Sequence, residues 1–244
     1  MKNVAIIGSS GAIGNSISKI LSRDVSVETV YNFSRSGVKE DTKKEKNIFI
    51  DIEKEESIID SLKYIPEETK FDLIFVATGF LHNNNDIFPE KSIKDLSEEK
   101  LKKVFHINTF GPALIGKHFI PYLAKTNKSV FAFLSAKVGS ISDNKIGGWY
   151  SYRSSKTALN QIIKNFSIEI KRSNLNAIFV GLQPGTVKSN LSKPFQKNVS
   201  SNNMFSPDYS AEKLLKVINN LSSDDSGKFY LGVVKKFNHK KTQH

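Results

Sequence analysis

Tyr152 and Lys156 stand four residues apart in the run Tyr152-Arg153-Ser154-Ser155-Lys156. On a helix this spacing puts phenol and ammonium on one face, about one turn apart. A free tyrosine titrates near 10, too high for easy proton exchange at neutral pH. An adjacent ammonium favours the phenolate and lowers that value. The pair therefore predicts a general acid/base for a carbonyl or an alcohol; taken alone, it also fits a solvated helix face. A second signal is Gly8-Ser9-Ser10-Gly11-Ala12-Ile13-Gly14. Glycines there permit a tight turn and close backbone approach to a pyrophosphate, and the following helix presents its free N–H groups to it. Gly8, Ser10, Gly11, Ile13 and Gly14 are the candidate contacts, with a ligand-free tight turn as the plainer reading. Farther on, Phe33-Ser34-Arg35-Ser36 has no acid where a NAD site tends to place one. Ser34 and Arg35 suit the extra phosphate of NADP, and Lys39 would add to it; the alternative is an exposed loop arginine. Asp51 and Ile52 are candidates for the adenine ring.

These residues need elements to hold them. Short apolar runs alternate with helical patterns along the chain. Strands are predicted over Asn3–Ile7, Val27–Phe33, Asn47–Ile50, Phe71–Ala77, Ser129–Leu134 and Leu175–Val180, with a seventh over Lys228–Val234. Helices are expected from the glycine turn to Leu21 and over Glu55–Tyr64, Tyr152–Lys171 and Ser210–Leu221. Leu101, Val104, Phe105, Leu114, Ile115, Phe119 and Leu123 recur at helical spacing, so Ser97–Ala124 reads as mostly one long helix, started at Ser97. Strands apolar throughout imply burial on both faces, and the alternation implies parallel strands with right-handed crossovers. The expected α/β fold is a doubly wound, mostly parallel seven-stranded sheet with helices on both faces. Residues 1–234 are expected to form a single domain, followed by a basic tail over 235–244. Long polar segments at His82–Lys94 and Ser189–Pro207 have the size of functional lids.

With the order glycine turn, Asn108 helix and Tyr152-x-x-x-Lys156 in place, the chain resembles the short-chain dehydrogenase/reductase family over roughly residues 2–234. Val76-Ala77-Thr78-Gly79 stands at the family's Asn-Asn-Ala-Gly stretch, with Ala77 and Gly79 as cofactor contacts. Asn108, in His106-Ile107-Asn108-Thr109-Phe110-Gly111, matches the family's asparagine. Pro184-Gly185-Thr186-Val187 matches the Pro-Gly segment that flanks the nicotinamide, giving Pro184, Gly185 and Val187. Residues 139–152 and 184–194 look most like the subgroup related to the C-factor cell-signalling protein and to sniffer-type carbonyl reductases. The resemblance implies a Rossmann fold, carbonyl/alcohol interconversion on a small molecule with a nicotinamide cofactor, and a homodimer or homotetramer, though monomers also occur in the family; Arg35 favours NADP(H) over NAD(H). It implies that Tyr152 exchanges the proton with the substrate oxygen and that Lys156 depresses the tyrosine and binds the nicotinamide ribose. Asn108 would kink its helix and hold a relay water, and a serine after the fifth strand would bond the substrate oxygen.

That serine is the main departure. Counting back from Gly139 puts Ala136 at its position, so Ser135, one residue earlier, is the candidate, with Ser140 behind it. Ala136 and the signalling resemblance motivate a rival reading, a cofactor-binding regulator with little turnover. The formal charge of +12 raises a nucleic-acid role, but the lysines are scattered apart from Lys235, Lys236, Lys240 and Lys241, and no nucleic-acid motif accompanies them. Absence of cysteine excludes disulfides and suits a reducing cytoplasm. No apolar run reaches the roughly 20 residues of a membrane span. The five histidines lack ligand spacing, so no metal site is expected, and His106 is expected to pack or cap near Asn108. Trp149 and Tyr150 would wall the substrate site or pack elsewhere. Phe195, Met204 and Phe205 would form an apolar lid or simply anchor their loop.

Overall fold

The computed structural model describes residues 1–36, 42–83, 86–198, 200 and 203–231. Lys39 and the tail from 235 onward lie outside the described residues. Seven parallel strands form one sheet in the order β3-β2-β1-β4-β5-β6-β9. They are β1 (Asn3–Ile7), β2 (Thr29–Ser34), β3 (Glu45–Phe49), β4 (Leu73–Val76), β5 (Ser129–Leu134), β6 (Ala177–Gln183) and β9 (Lys228–Leu231). β7 (Thr186–Val187) and β8 (Met204–Phe205) pair separately, β7 just before the long polar segment Ser189–Pro207 and β8 within it.

The inner strands β1, β4 and β5 are buried nearly throughout, because helices cover both of their faces. On one face, α1 (Ala12–Arg23) and α6 (Pro207–Asn220) send Ile17, Leu21, Leu214 and Ile218 onto Val4, Ile6, Phe75 and Val180. On the other, α2 (Glu55–Leu62), α4 (Gly111–Phe119) and α5 (Tyr150–Ile170) send Ile58, Ile115, Phe119, Leu159 and Ile163 onto Ile7, Phe33, Val76 and Phe133. The strand order reverses between β1 and β4, and crevices at such a switch point are where doubly wound sheets bind ligands.

The long helix expected over Ser97–Ala124 is interrupted. α3 (Glu98–Phe105) runs into one π turn, His106–Phe110, before α4 starts. A π turn inserts a residue without breaking the chain's apolar stripe, so the periodicity of the sequence passes over it. Pro112 sits where the π turn passes into α4 and offers no N–H to the carbonyls of the preceding turn. Among the described residues no helix is long and apolar enough to cross a membrane.

Candidate active site

The glycine turn joins β1 to α1. Gly8 has φ +88°, in the left-handed region that glycine adopts freely. Its N–H and that of Ser9 both donate to Phe33 O, at 2.8 and 3.1 Å, and so pin the turn to β2. A Cβ on Gly14 would lie 2.3 Å from Gly8 O, and one on Gly8 would lie 3.1–3.2 Å from Ala77 and Thr78. The helix therefore rides directly on the turn, and the turn directly on the end of β4. Gly11 caps α1 without a side-chain bond, leaving the first-turn N–H groups for an anion. Beside them opens a cleft of about 200 Å³ lined by Gly8, Ser10, Gly11, Ser34, Arg35, Ile52, Ala77 and Gly79, among others. Thr78 also lines it, and its Oγ1 is buried without a hydrogen-bond partner. A glycine cradle, open helix N–H groups and an orphaned hydroxyl fit a dinucleotide. Ile13 does not line this cleft; it packs on the α1/α6 side of the core. Asp51 accepts from Glu53 N at 3.2 Å and shapes the bend after β3.

Around the end of β4 the second half of the site assembles. Asn108, fully buried in the π turn, accepts from Phe80 N at 2.8 Å through Oδ1. Its Nδ2 donates to Phe80 O at 2.8 Å and to Ser155 Oγ at 3.1 Å. One amide thus ties the post-β4 segment to the π turn and to α5. A Cβ on Gly79 would lie 3.8 Å from both Asn108 Oδ1 and Lys156 Nζ, so the backbone there borders both polar groups.

Tyr152 and Lys156 lie in the first two turns of α5. Lys156 Nζ is 6.0 Å from the centre of the Tyr152 ring and donates to Leu134 O at 2.9 Å. Lys156 is 2% exposed and has no carboxylate partner among the described residues. Burial brings its ammonium down to about 8 and pushes the Tyr152 phenol up to about 12. The expected lowering of the tyrosine by its lysine is therefore absent; desolvation of each group is the cause of both shifts.

The start of α5 is built from three successive left-handed residues, Gly147, Gly148 and Trp149, at φ +70°, +63° and +51°. Trp149 is held there by its N–H, which donates to Glu90 O at 2.6 Å. The buried Glu90 carboxylate accepts from Ser151 N at 3.1 Å and from Ser151 Oγ, a favourable place for an anion at a helix N-terminus. Glu90 escaped sequence reasoning because a single acid in a polar loop carries no pattern. Trp149 lies edge-on to Tyr152 at 6.1 Å and meets Phe195 at 5.1 Å. Phe195 in turn meets His82 at 5.5 Å, and His82 Nε2 lies 3.2 and 3.1 Å from the carbonyls of Asn190 and Leu191. The two long loops thus close on each other beside Tyr152, with Phe195 in the lid position. Met204 and Phe205 instead pair as β8, and Phe205 stacks on Tyr209. His106 donates to or accepts nothing from Asn108; its Nε2 lies 2.8 Å from Glu53 O.

Ser135 Oγ donates to Asn160 Oδ1 at 2.6 Å, on the side of a mostly apolar cavity of about 520 Å³ between α5 and β9. Ser140 Oγ lies 3.4 Å from Ser142 Oγ. Ala136 brings no hydroxyl to the family's serine position. After β6, Gly185 turns at φ +78°, Ser210 Oγ donates to Pro184 O at 3.1 Å, and Val187 is buried in β7.

The family model for short chain dehydrogenases matches residues 2–200. The chain belongs to the short-chain dehydrogenase family. This short-chain dehydrogenase is 27% identical over 236 residues to 1-hydroxy-2-glutathionyl-2-methyl-3-butene dehydrogenase of Rhodococcus sp. (strain AD45), covering 94% of this chain and 96% of that protein. It is 28% identical over 139 residues to the C-signal of Myxococcus xanthus, covering 57% and 78%. Its fold is similar to a solved NADPH-bound carbonyl reductase from chicken fatty liver, with TM-score 0.83, 21% identity, and 97% and 93% of the two chains covered. It is likewise similar to the carbonyl reductase Sniffer of D. melanogaster, with TM-score 0.82, 18% identity and 97% and 98% covered. The short-chain dehydrogenase is an oxidoreductase with carbonyl reductase-like relatives, on a fold that takes a nicotinamide cofactor.

Proposed function

We propose that this enzyme reduces a small or medium-sized carbonyl compound with NADPH, and runs the reverse oxidation of an alcohol through the same groups. The reading is carried by the Tyr152–Lys156 pair, which opens α5 beside Gly79 and Asn108 at the end of the glycine-lined cleft. A bound nicotinamide dinucleotide supplies the hydride. Tyr152 gives its proton to the substrate oxygen in reduction and takes one from the alcohol in oxidation; burial raises its phenol to about 12, which favours the donating direction. Lys156 has donors beyond the one on Leu134 O, and these reach for the nicotinamide ribose. Asn108 fixes the Phe80 backbone and Ser155, and so the wall between cofactor and α5. Gly8, Ser10, Gly11 and Gly14 cradle the pyrophosphate, Asp51 and Ile52 the adenine end, and Pro184, Gly185 and Val187 flank the nicotinamide. Ser34 and Arg35 take the 2′-phosphate. The chicken carbonyl reductase, solved with NADPH, supports that cofactor. The family resemblance extends the proposal to a dimer or tetramer.

The substrate-oxygen donor is the open place. Ser135 serves only by leaving Asn160, and an oxyanion donor is worth roughly 3–4 kcal/mol. That engaged hydroxyl favours a second reading, a cofactor-binding regulator with little turnover. NADPH oxidation against a panel of aldehydes, ketones and quinones separates the two. The first reading expects turnover that Tyr152→Phe lowers at least about hundredfold. Full activity in that variant would end the proposed chemistry. NADPH binding by calorimetry without turnover on any compound would favour the regulator.

A further inference from the structure

Arg35 shares the outer lip of the cofactor cleft with a carboxylate. Glu53, just past Asp51 and Ile52, lines the same cleft, and its Oε1 accepts from Arg35 Nη1 at 3.0 Å. Glu53 is anchored from the other side. Its Oε2 accepts from Lys103 Nζ at 2.6 Å, and its carbonyl oxygen lies 2.8 Å from His106 Nε2. Its N–H donates to Asp51 Oδ1 at 3.2 Å. Lys103 and His106 are three residues apart, one helical turn around the α3 end. The Glu53 side chain is 19% exposed and that of Arg35 62%. The carboxylate is thus the fixed member of the pair, and the guanidinium the one free to swing.

A 2′-phosphate that reaches Arg35 meets this carboxylate at close range. Like charges in a partly dry cleft oppose each other, and Glu53 also competes for the guanidinium donors. An uncharged ribose 2′-hydroxyl has no such conflict, because it can donate to a carboxylate. Lys103 offsets part of the acid's charge; Glu98, Glu99 and Lys102 lie farther round, in the neighbouring cavity that Glu53 also lines.

We propose that Glu53 is a specificity-determining residue: anchored by Lys103 and His106, it holds Arg35 at the ribose end of the cleft and tempers the preference for NADP, so that both dinucleotides are admitted. This rests on Arg35 as the 2′-phosphate ligand. Glu53→Gln keeps the shape and removes the charge. It is expected to lower the Kd for NADPH about tenfold, a change of about 1.4 kcal/mol, and to move the Kd for NADH less than about threefold. Lys103→Gln, which unmasks the acid on a half-exposed side chain, is expected to shift the NADPH/NADH ratio the opposite way, by about threefold or more. Calorimetric titration with each dinucleotide reads both effects without turnover. The proposal is overturned if Glu53→Gln leaves the ratio unchanged, or if both variants move it in one direction. Should Glu53→Gln fail to fold by circular dichroism, the direction of the Lys103→Gln shift decides alone. Arg35→Ala separates the layers. If it leaves NADPH affinity intact, the phosphate reading itself falls. If it weakens NADPH while the Glu53 and Lys103 variants leave the ratio alone, only the role of Glu53 falls.

Discussion

At the scale of single residues, Lys156 holds a charge the core would rather exclude. Its ammonium is buried on a carbonyl with no anion beside it among the described residues, and burial brings it from 10.5 to about 8. The sign follows from proton counting. Below about pH 8 both folded and unfolded chains hold the proton, and the folded state bears the full desolvation penalty. Between about 8 and 10.5 the unfolded chain binds more protons, so stability from this group rises with pH. Lys156→Met, of similar shape and no charge, is therefore expected to stabilise the fold by about 1–3 kcal/mol at neutral pH. The gain should shrink as pH climbs above about 8. Thermal unfolding across a pH series checks this; the same variant should lose turnover. The Tyr-x-x-x-Lys spacing is plain in the sequence. The direction of the titration shifts is not, because burial of both groups is a property of the packed helix.

Among the elements, the π turn at His106–Phe110 is the joint of the site. It puts Asn108 inward, where one side chain meets Phe80 N, Phe80 O and Ser155 Oγ. Asn108→Ala takes the partner from Phe80 N and from Phe80 O, both half-buried, each at a cost of about 1–3 kcal/mol, while Ser155 Oγ keeps its bond to Tyr152 O at 2.8 Å. Denaturant unfolding should show a loss of at least about 2 kcal/mol, and NADPH binding should weaken with it. The sheet was readable from sequence because residues 4–7, 73–76 and 130–134 are apolar on both faces. Edges were less so. β3 begins at Glu45, two residues before the expected start at Asn47 and three before its apolar stretch, because an edge strand facing solvent needs no apolar run. The break between α3 and α4 was hidden by the unbroken spacing of Leu101 to Leu123, with Pro112 as the one local sign. Glu53 and Glu90 were invisible for a different reason. Each is held by partners far along the chain, Glu53 by Arg35 and Lys103, 18 and 50 residues away, and Glu90 by Ser151, 61 residues away, and a lone acid says nothing of what the fold brings to it.

For the whole molecule, the balance of charge is +12, far from neutral. Such a surface draws anions toward the cleft, and salt screens the attraction over about 10 Å at 0.1 M. Affinity for NADPH should therefore decline as salt is raised from about 0.05 to 0.5 M, and more steeply than affinity for NADH, which lacks the 2′-phosphate. Calorimetry at several ionic strengths checks the two slopes; equal slopes would argue against a charged 2′-phosphate site. The sheet order also fixes what the charges serve, since the glycine turn, Arg35 and Gly79 all stand at the strand ends around the β1/β4 reversal. One last feature concerns light. The chain contains a single tryptophan, and Trp149 sits edge-on to Tyr152 with Phe195 against it. Every quantum of indole emission therefore originates within a few ångströms of Tyr152, the proposed acid/base. An optical reporter thus stands at the proposed reaction centre, with no second indole to blur its signal.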